Sequence, residues 1–325
     1  MNISNGYKEG EALPRGCLES APMPPQSPIP RRSALAALAA LALSACQTPA
    51  PPPARPDPVA PPPPAPTRPP RLGLALGGGA ARGFAHIGVI QVLEEHGIRP
   101  QLVAGTSAGS LVAALYAAGH DGAALGRLAT TMDESALTDW AFPGRGVLRG
   151  EALAAYVRKQ TGGLPIEQLK MPLGIVATDL ADGQPILFQR GDVGAAVRAS
   201  SAVPAVFQPV KINGHEYVDG GLVSPVPVRY ARQMGAEMVV AVDISTPPDP
   251  NATGDSVRVL LQTFSIMGRS INQWELRDAD VVLRPALLGV SGTDFTARAK
   301  AIQSGREAAL AMLPAIRQKL LALAR

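Results

Sequence analysis

The chain has 325 residues, 46% of them apolar and 17% charged, and a formal net charge of +4. That is enough apolar material for one large or two ordinary domains. It offers no focused basic patch of the kind nucleic-acid binding needs. Only two cysteines (Cys17 and Cys46) are present, and the four histidines lack HExxH-like spacing. A disulfide framework, a metal centre and a cofactor are therefore not expected.

The first seventy residues read as an address and a tether. Arg31-Arg32 precedes the apolar run Ala34 to Leu43, which is too short for a bilayer span of roughly 20 residues. A basic pair, a short apolar core and small residues are the layout of a secretory signal. The run ends in Leu43-Ser44-Ala45-Cys46, which resembles the bacterial lipobox, whose Cys becomes the lipidated first residue. Residues 1–45 are thus expected to be a leader, with Met23 as an alternative start that makes it compact. Lipidated Cys46 is expected to hold the chain at a membrane in the cell envelope. Gln47, by the same resemblance, directs it to the outer membrane. Residues 46–70 follow as a spacer, thirteen of the 24 residues from Gln47 to Pro70 being proline. As polyproline II at roughly 3.1 Å per residue they reach about 75 Å.

Residues 71–325 have the composition of a globular α/β domain. Apolar runs at Leu72–Leu76, Gln101–Ala104, Leu173–Ala177, Met238–Val242 and Val281–Leu283 predict strands buried on both faces. Helices are predicted at Phe84–His96, Ser107–Ala118, Gly122–Met132, Glu151–Gln160, Val193–Ser200 and Val226–Met234, with a long one from Thr296 to Leu323. Gly97 and Gly119 fall where a helix ends in a left-handed residue. Ile186–Phe188 and the Phe207–Val218 segment read as additional, antiparallel strands. The alternation predicts a three-layer α/β/α sandwich around a mainly parallel sheet.

Three segments carry chemistry. Gly105-Thr106-Ser107-Ala108-Gly109 is a G-x-S-x-G between a predicted strand and a predicted helix. Gly105 and Gly109 permit the tight turn that presents the serine, and the helix N-terminus favours developing negative charge. Leu76-Gly77-Gly78-Gly79-Ala80-Ala81-Arg82-Gly83 also follows a strand, and its backbone N–H groups can hold a phosphate or an oxyanion. A P-loop would need a terminal Gly-Lys-Ser/Thr, and a Rossmann site an acid about 20 residues on. Both are missing, so nucleotide binding is not expected. The third segment is Tyr217-Val218-Asp219-Gly220-Gly221; alone, its Asp reads as a turn cap as readily as a base.

Together the three segments resemble the patatin-like phospholipase family. The similarity extends to Phe84-Ala85-His86-Ile87-Gly88-Val89, Ala177-Thr178-Asp179-Leu180, Val197 to Pro204 and Val223 to Val228. It implies a Ser–Asp dyad without a catalytic histidine: Ser107 as nucleophile and Asp219 as base. Gly78, Gly79 and Ala80 are implied as oxyanion donors, and Arg82, beside Gly83, as the residue that orients the loop or meets a lipid phosphate. Gly220 and Gly221 complete the Asp-Gly-Gly turn. Ala80 stands where many members carry a further glycine. The substrate implied is a phospholipid or lysophospholipid ester. A general esterase or transacylase, or a non-catalytic envelope scaffold, are the alternatives. An exposed Asp, with pKa near ~3.9, is a poor base for serine, so the site has to be desolvated. His215 precedes the acid, contrary to triad order, and is read as a turn or strand residue. His86, Ser200 and Ser201 are read as structural.

Overall fold

The computed structural model describes residues 68–132, 139, 146–245, 247–248, 256–292 and 294–324. The expected leader, Cys46, Met23 and all but the last three residues of the spacer lie outside them.

Five short apolar segments form the parallel part of the sheet: β1 (Leu72–Leu76), β2 (Leu102–Thr106), β4 (Leu173–Asp179), β9 (Met238–Val242) and β10 (Val281–Leu283). They lie in the order β10-β9-β1-β2-β4. Nearly every residue in them is buried, because helices cover both faces. Three further strands run antiparallel: β5 (Pro185–Phe188), β7 (Val210–Ile212) and β8 (His215–Asp219). β7 and β8 join through Asn213-Gly214, both at positive φ, which suits a two-residue hairpin. A separate parallel pair joins β3 (Gly146–Leu148) to β6 (Ala205–Phe207).

One face of β1 presents Leu72, Leu74 and Leu76 to a core built with α1 (Phe84–Glu95), α2 (Ala108–Ala117), α3 (Gly122–Thr131) and the C-terminal helix α8 (Arg298–Ala322). The helix α1 ends in a hydrogen-bonded left-handed turn at Gly97, with the Gly97 N–H donating to the Glu94 carbonyl and the Ile98 N–H to the Leu93 carbonyl. Helices α4 (Glu151–Gln160) and α5 (Val193–Ser200) pack against each other, and α5, capped by Asp192, also lies against β4 and β8. The opposite face, with small residues such as Ala75, Ala104 and Ala241, packs against α6 (Val228–Gln233). The fold is the expected three-layer sandwich. Helix α6 starts two residues later than predicted, after Pro225 and Pro227. The helix α7 (Ser256–Glu275) was not predicted at all.

Register places the two motif ends. β4 carries β5 along residues 175–178 on one edge, so β2 and β8 share the other. Thr106 pairs with Val176, and Asp219 pairs with Ala177. The last residue of β2 and the last residue of β8 therefore meet end to end over adjacent residues of β4.

Candidate active site

Ser107 follows β2 directly and caps α2. Its backbone sits at φ 53°, ψ −124°, a region that side-chain-bearing residues rarely occupy. The surroundings hold it there. Its N–H donates to Ser200 Oγ at 2.8 Å, and Ser200 in turn donates to the Val176 carbonyl at 2.6 Å. The Ser107 carbonyl accepts from Ser110 Oγ at 2.6 Å. A Cβ on Gly105 would lie 2.5 Å from the Gly109 carbonyl and 2.6 Å from Ser110 Cα, so strand and helix pass too closely for any side chain.

Ser107 Oγ donates to Asp219 Oδ2 at 2.6 Å. The other carboxylate oxygen accepts from the Gly221 N–H at 2.7 Å, which fixes the orientation of the group. Thr178 Oγ1 donates to the Asp219 carbonyl, and the Asp219 N–H donates to Ala202. Asp219 is 7% exposed, and burial pushes its carboxyl up to about 6 against the hydrogen bonds from Ser107 and Gly221, which pull it down. This removes the difficulty of a weak base: desolvation makes the carboxylate basic near neutral pH.

The glycine-rich turn lies beside the serine. A Cβ on Gly78 would sit 3.2 Å from Ser107 Cβ. The Gly78 N–H, however, donates to the Pro225 carbonyl at 2.9 Å. In this arrangement the Gly78 N–H, expected as an oxyanion donor, is engaged by a carbonyl of the protein, and the residue packs closely beside the serine. Among the described residues, no acceptor engages the N–H groups of Gly79, Ala80 and Ala108. Ala108, the residue after the serine, is a donor that motif reading passed over; its place at the first turn of α2 was the available signal.

Arg82 Nε donates to the Ile244 carbonyl at 3.1 Å, and burial lowers its affinity for its proton. It ties the turn to the end of β9. Gly83 allows close approach to Ala108. His86 is fully buried and held neutral, its pKa lowered to about 4 by burial. Its Nε2–H donates to the Gly77 carbonyl at 2.8 Å, so it supports the turn from below. His215 sits at the far end of β8 from Asp219, with Nδ1 2.7 Å from Asp179 Oδ2. It takes no part in the Ser107 contact.

Ala80 occupies φ 51°, where an alanine costs about 1 kcal/mol relative to glycine. Ala80→Gly is expected to raise the unfolding free energy by about 1 kcal/mol in denaturant titration. Its N–H is retained, so hydrolysis should survive.

The Asp219 turn is fastened from its other side. Thr106 Oγ1 donates to the Ser224 carbonyl at 2.9 Å, and Ser224 Oγ donates to Glu275, at the end of α7. Burial pushes the Glu275 carboxyl up to about 7. Ser224 lies in the Val223 to Val228 stretch that carries the resemblance, whereas Glu275 belongs to a helix absent from the predicted elements.

An apolar cavity of about 70 Å³ opens beside Ala80 and Ala108 and runs to Leu125, Leu128, Ala129 and Met132.

The arrangement sets a serine hydroxyl against a buried carboxylate, beside N–H groups that no acceptor among the described residues engages, in an α/β sandwich. Residues 74–232 match the patatin-like phospholipase family. An uncharacterized NTE family protein of Mycobacterium tuberculosis is 37% identical over 207 residues, covering 61% of this chain and 58% of that protein. The patatin-like phospholipase domain-containing protein 6 of Mus musculus is 31% identical over 213 residues, covering 62% of this chain and 15% of that protein. The chain thus spans little more than half of the mycobacterial relative. The crystal structure of VipD from Legionella pneumophila shares the fold, with a TM-score of 0.51 at 16% identity, over 76% of this chain and 67% of that one. Through this stretch the chain belongs to the patatin-like phospholipase family.

Proposed function

We propose that the protein is a membrane-associated lipid hydrolase that cleaves acyl esters of phospholipids or lysophospholipids through Ser107 and Asp219. The observation that carries the reading is the 2.6 Å hydrogen bond from Ser107 Oγ to a buried carboxylate held near pKa 6. As Oγ attacks the ester carbonyl, Asp219 takes its proton. The oxyanion gathers hydrogen bonds from the N–H groups of Gly79, Ala80 and Ala108. Collapse expels the alcohol portion of the lipid, which takes the proton from Asp219, and leaves the acyl group on Ser107. Water then attacks with Asp219 again as base, releasing the fatty acid and restoring the serine. One such oxyanion donor typically contributes about 10²–10³ in rate.

The apolar cavity beside Ala80 and Ala108 supports an acyl chain as the group transferred. Ala129 is buried in its wall. Ala129→Leu fills the space and is expected to lower kcat/KM for long-chain esters about tenfold or more, leaving butyrate esters within about twofold. A series of p-nitrophenyl esters of increasing length measures this.

Lipidation at Cys46 would place the enzyme at the outer membrane, with the proline-rich spacer holding the domain off the anchor. The test of the activity is release of fatty acid from dispersed phospholipid by purified protein. Wild type should release it and Ser107→Ala should not. Equal release by both sinks the reading.

A further inference from the structure

Helix α7 carries a surface that the hydrolytic chemistry does not use. Val259, Ile266, Met267 and Trp274 are between 45% and 68% exposed. At 3.6 residues per turn they fall within an arc of about 100° on the outward side of the helix. Only Thr263 and Ser270, small and polar, interrupt that stripe. From Ser256 to Trp274 the helix has no acidic residue, while Arg258 and Arg269 lie on it. Arg277 stacks over the Trp274 ring at 4.2 Å.

The opposite side of α7 is fixed to the site. Asn272 and Glu275 are buried, Glu275 accepts from Ser224, and Gly268 lies against Pro225, whose carbonyl holds Gly78. Beside this end opens a cleft of about 430 Å³, lined among others by Arg269, Arg277, Arg284 and Ser245. Asp243 in the same cleft is 3.5 Å from Arg284, which leaves the cleft cationic on balance.

An apolar stripe with an aromatic at one end and arginines alongside is the composition of a helix lying in a bilayer interface. The helix is not apolar enough to cross a membrane, and no described helix is. A protein partner would also bury the stripe, but the arginines and the missing acids match an anionic phosphate layer. We propose that α7 is the element by which this protein docks on an anionic phospholipid surface. Val259, Ile266, Met267 and Trp274 enter the acyl boundary, and Arg269, Arg277 and Arg284 meet headgroup phosphates. Resting on the hydrolase reading, this docking holds the domain on the surface that contains its substrate. A lipidated Cys46 on a long spacer would only keep the domain nearby.

The chain has two tryptophans, Trp140 and Trp274. In the full chain carrying Trp140→Phe, Trp274 is the sole emitter. Vesicles of phosphatidylcholine containing phosphatidylglycerol should shift its emission to the blue, and brominated acyl chains should quench it. Ile266→Ser with Met267→Ser should weaken vesicle binding about tenfold or more, while turnover of a soluble butyrate ester stays as in wild type. Arg269→Gln with Arg277→Gln should erase the preference for anionic over pure phosphatidylcholine vesicles. Trp274 emission unaffected by vesicles overturns the proposal. So does a shift that grows with protein concentration without lipid, which would make α7 a contact between copies. Absence of soluble-ester turnover in wild type counts against the hydrolase reading instead, and docking is then judged on the emission alone.

Discussion

Asp219→Asn is expected to lower kcat/KM by about 10³–10⁴ and, at pH 7.5, to make the protein more stable. Both effects have one cause. The carboxyl is buried, and its pKa stands at about 6 rather than the ordinary 3.8. The folded state therefore holds a proton on this group more tightly than the unfolded chain does. Between about pH 4 and pH 6 the unfolded state has lost that proton while the folded state still keeps it. Stability falls as pH rises through this window, and above about 6 the full cost of a buried charge is present. A shift of this size corresponds to about 3 kcal/mol. Asparagine removes the charge but cannot accept from both Ser107 and Gly221, so the net gain is about 1–2 kcal/mol. Thermal melts should show the variant above wild type at pH 7.5 and the difference closing at pH 4. A less stable variant at pH 7.5 contradicts the account. With Asp219 as the base proposed above, its ionised form is the active one, so wild-type kcat/KM should fall about tenfold per unit below pH 6 and stay level above it.

Ser107→Gly should remove hydrolysis altogether, a loss of about 10⁴–10⁶, and also stabilise the fold. The serine sits at φ 53°, ψ −124°, and such backbone strain costs about 1–3 kcal/mol. Glycine accepts that conformation but loses more entropy on folding, by roughly 0.5–1 kcal/mol. The expected net gain is about 1 kcal/mol in denaturant titration. Ser107→Ala keeps the strain and should leave stability close to wild type. Equal stabilisation by glycine and alanine would mean that the elbow is not strained. The two residues with the largest expected catalytic effects are thus the two whose replacement is expected to firm the fold.

The sequence showed a good deal of this. The five parallel strands were legible because strands covered on both faces are continuous apolar runs, and each is found within two residues of its expected bounds. The G-x-S-x-G turn was legible because only glycine tolerates such close passage of strand and helix. Other features depend on tertiary pairing, which leaves no local pattern. Asp219 reaches Ser107 only because β2 and β8 share one edge of β4. Gly78 is engaged by Pro225, more than a hundred residues away. Ser200 looked structural and is so, but its hydroxyl sits directly under the strained serine. Helix α7 was legible too, although it is absent from the predicted elements: Val259, Ile266 and Trp274 run on into Leu260, Phe264 and Val257 around one wide apolar side, and Arg258, Gln262 and Arg269 share the other.

The most direct test of the account is labelling with a fluorophosphonate probe, which modifies only an activated serine. Purified full-length wild type would be compared with Ser107→Ala and Asp219→Asn, with the modified residue located by mass spectrometry and folding checked by circular dichroism. The account predicts one adduct, on Ser107, absent from Ser107→Ala and reduced at least about a hundredfold in Asp219→Asn. A folded wild type that takes no label, or one labelled as fast without the Asp219 carboxylate, would contradict it.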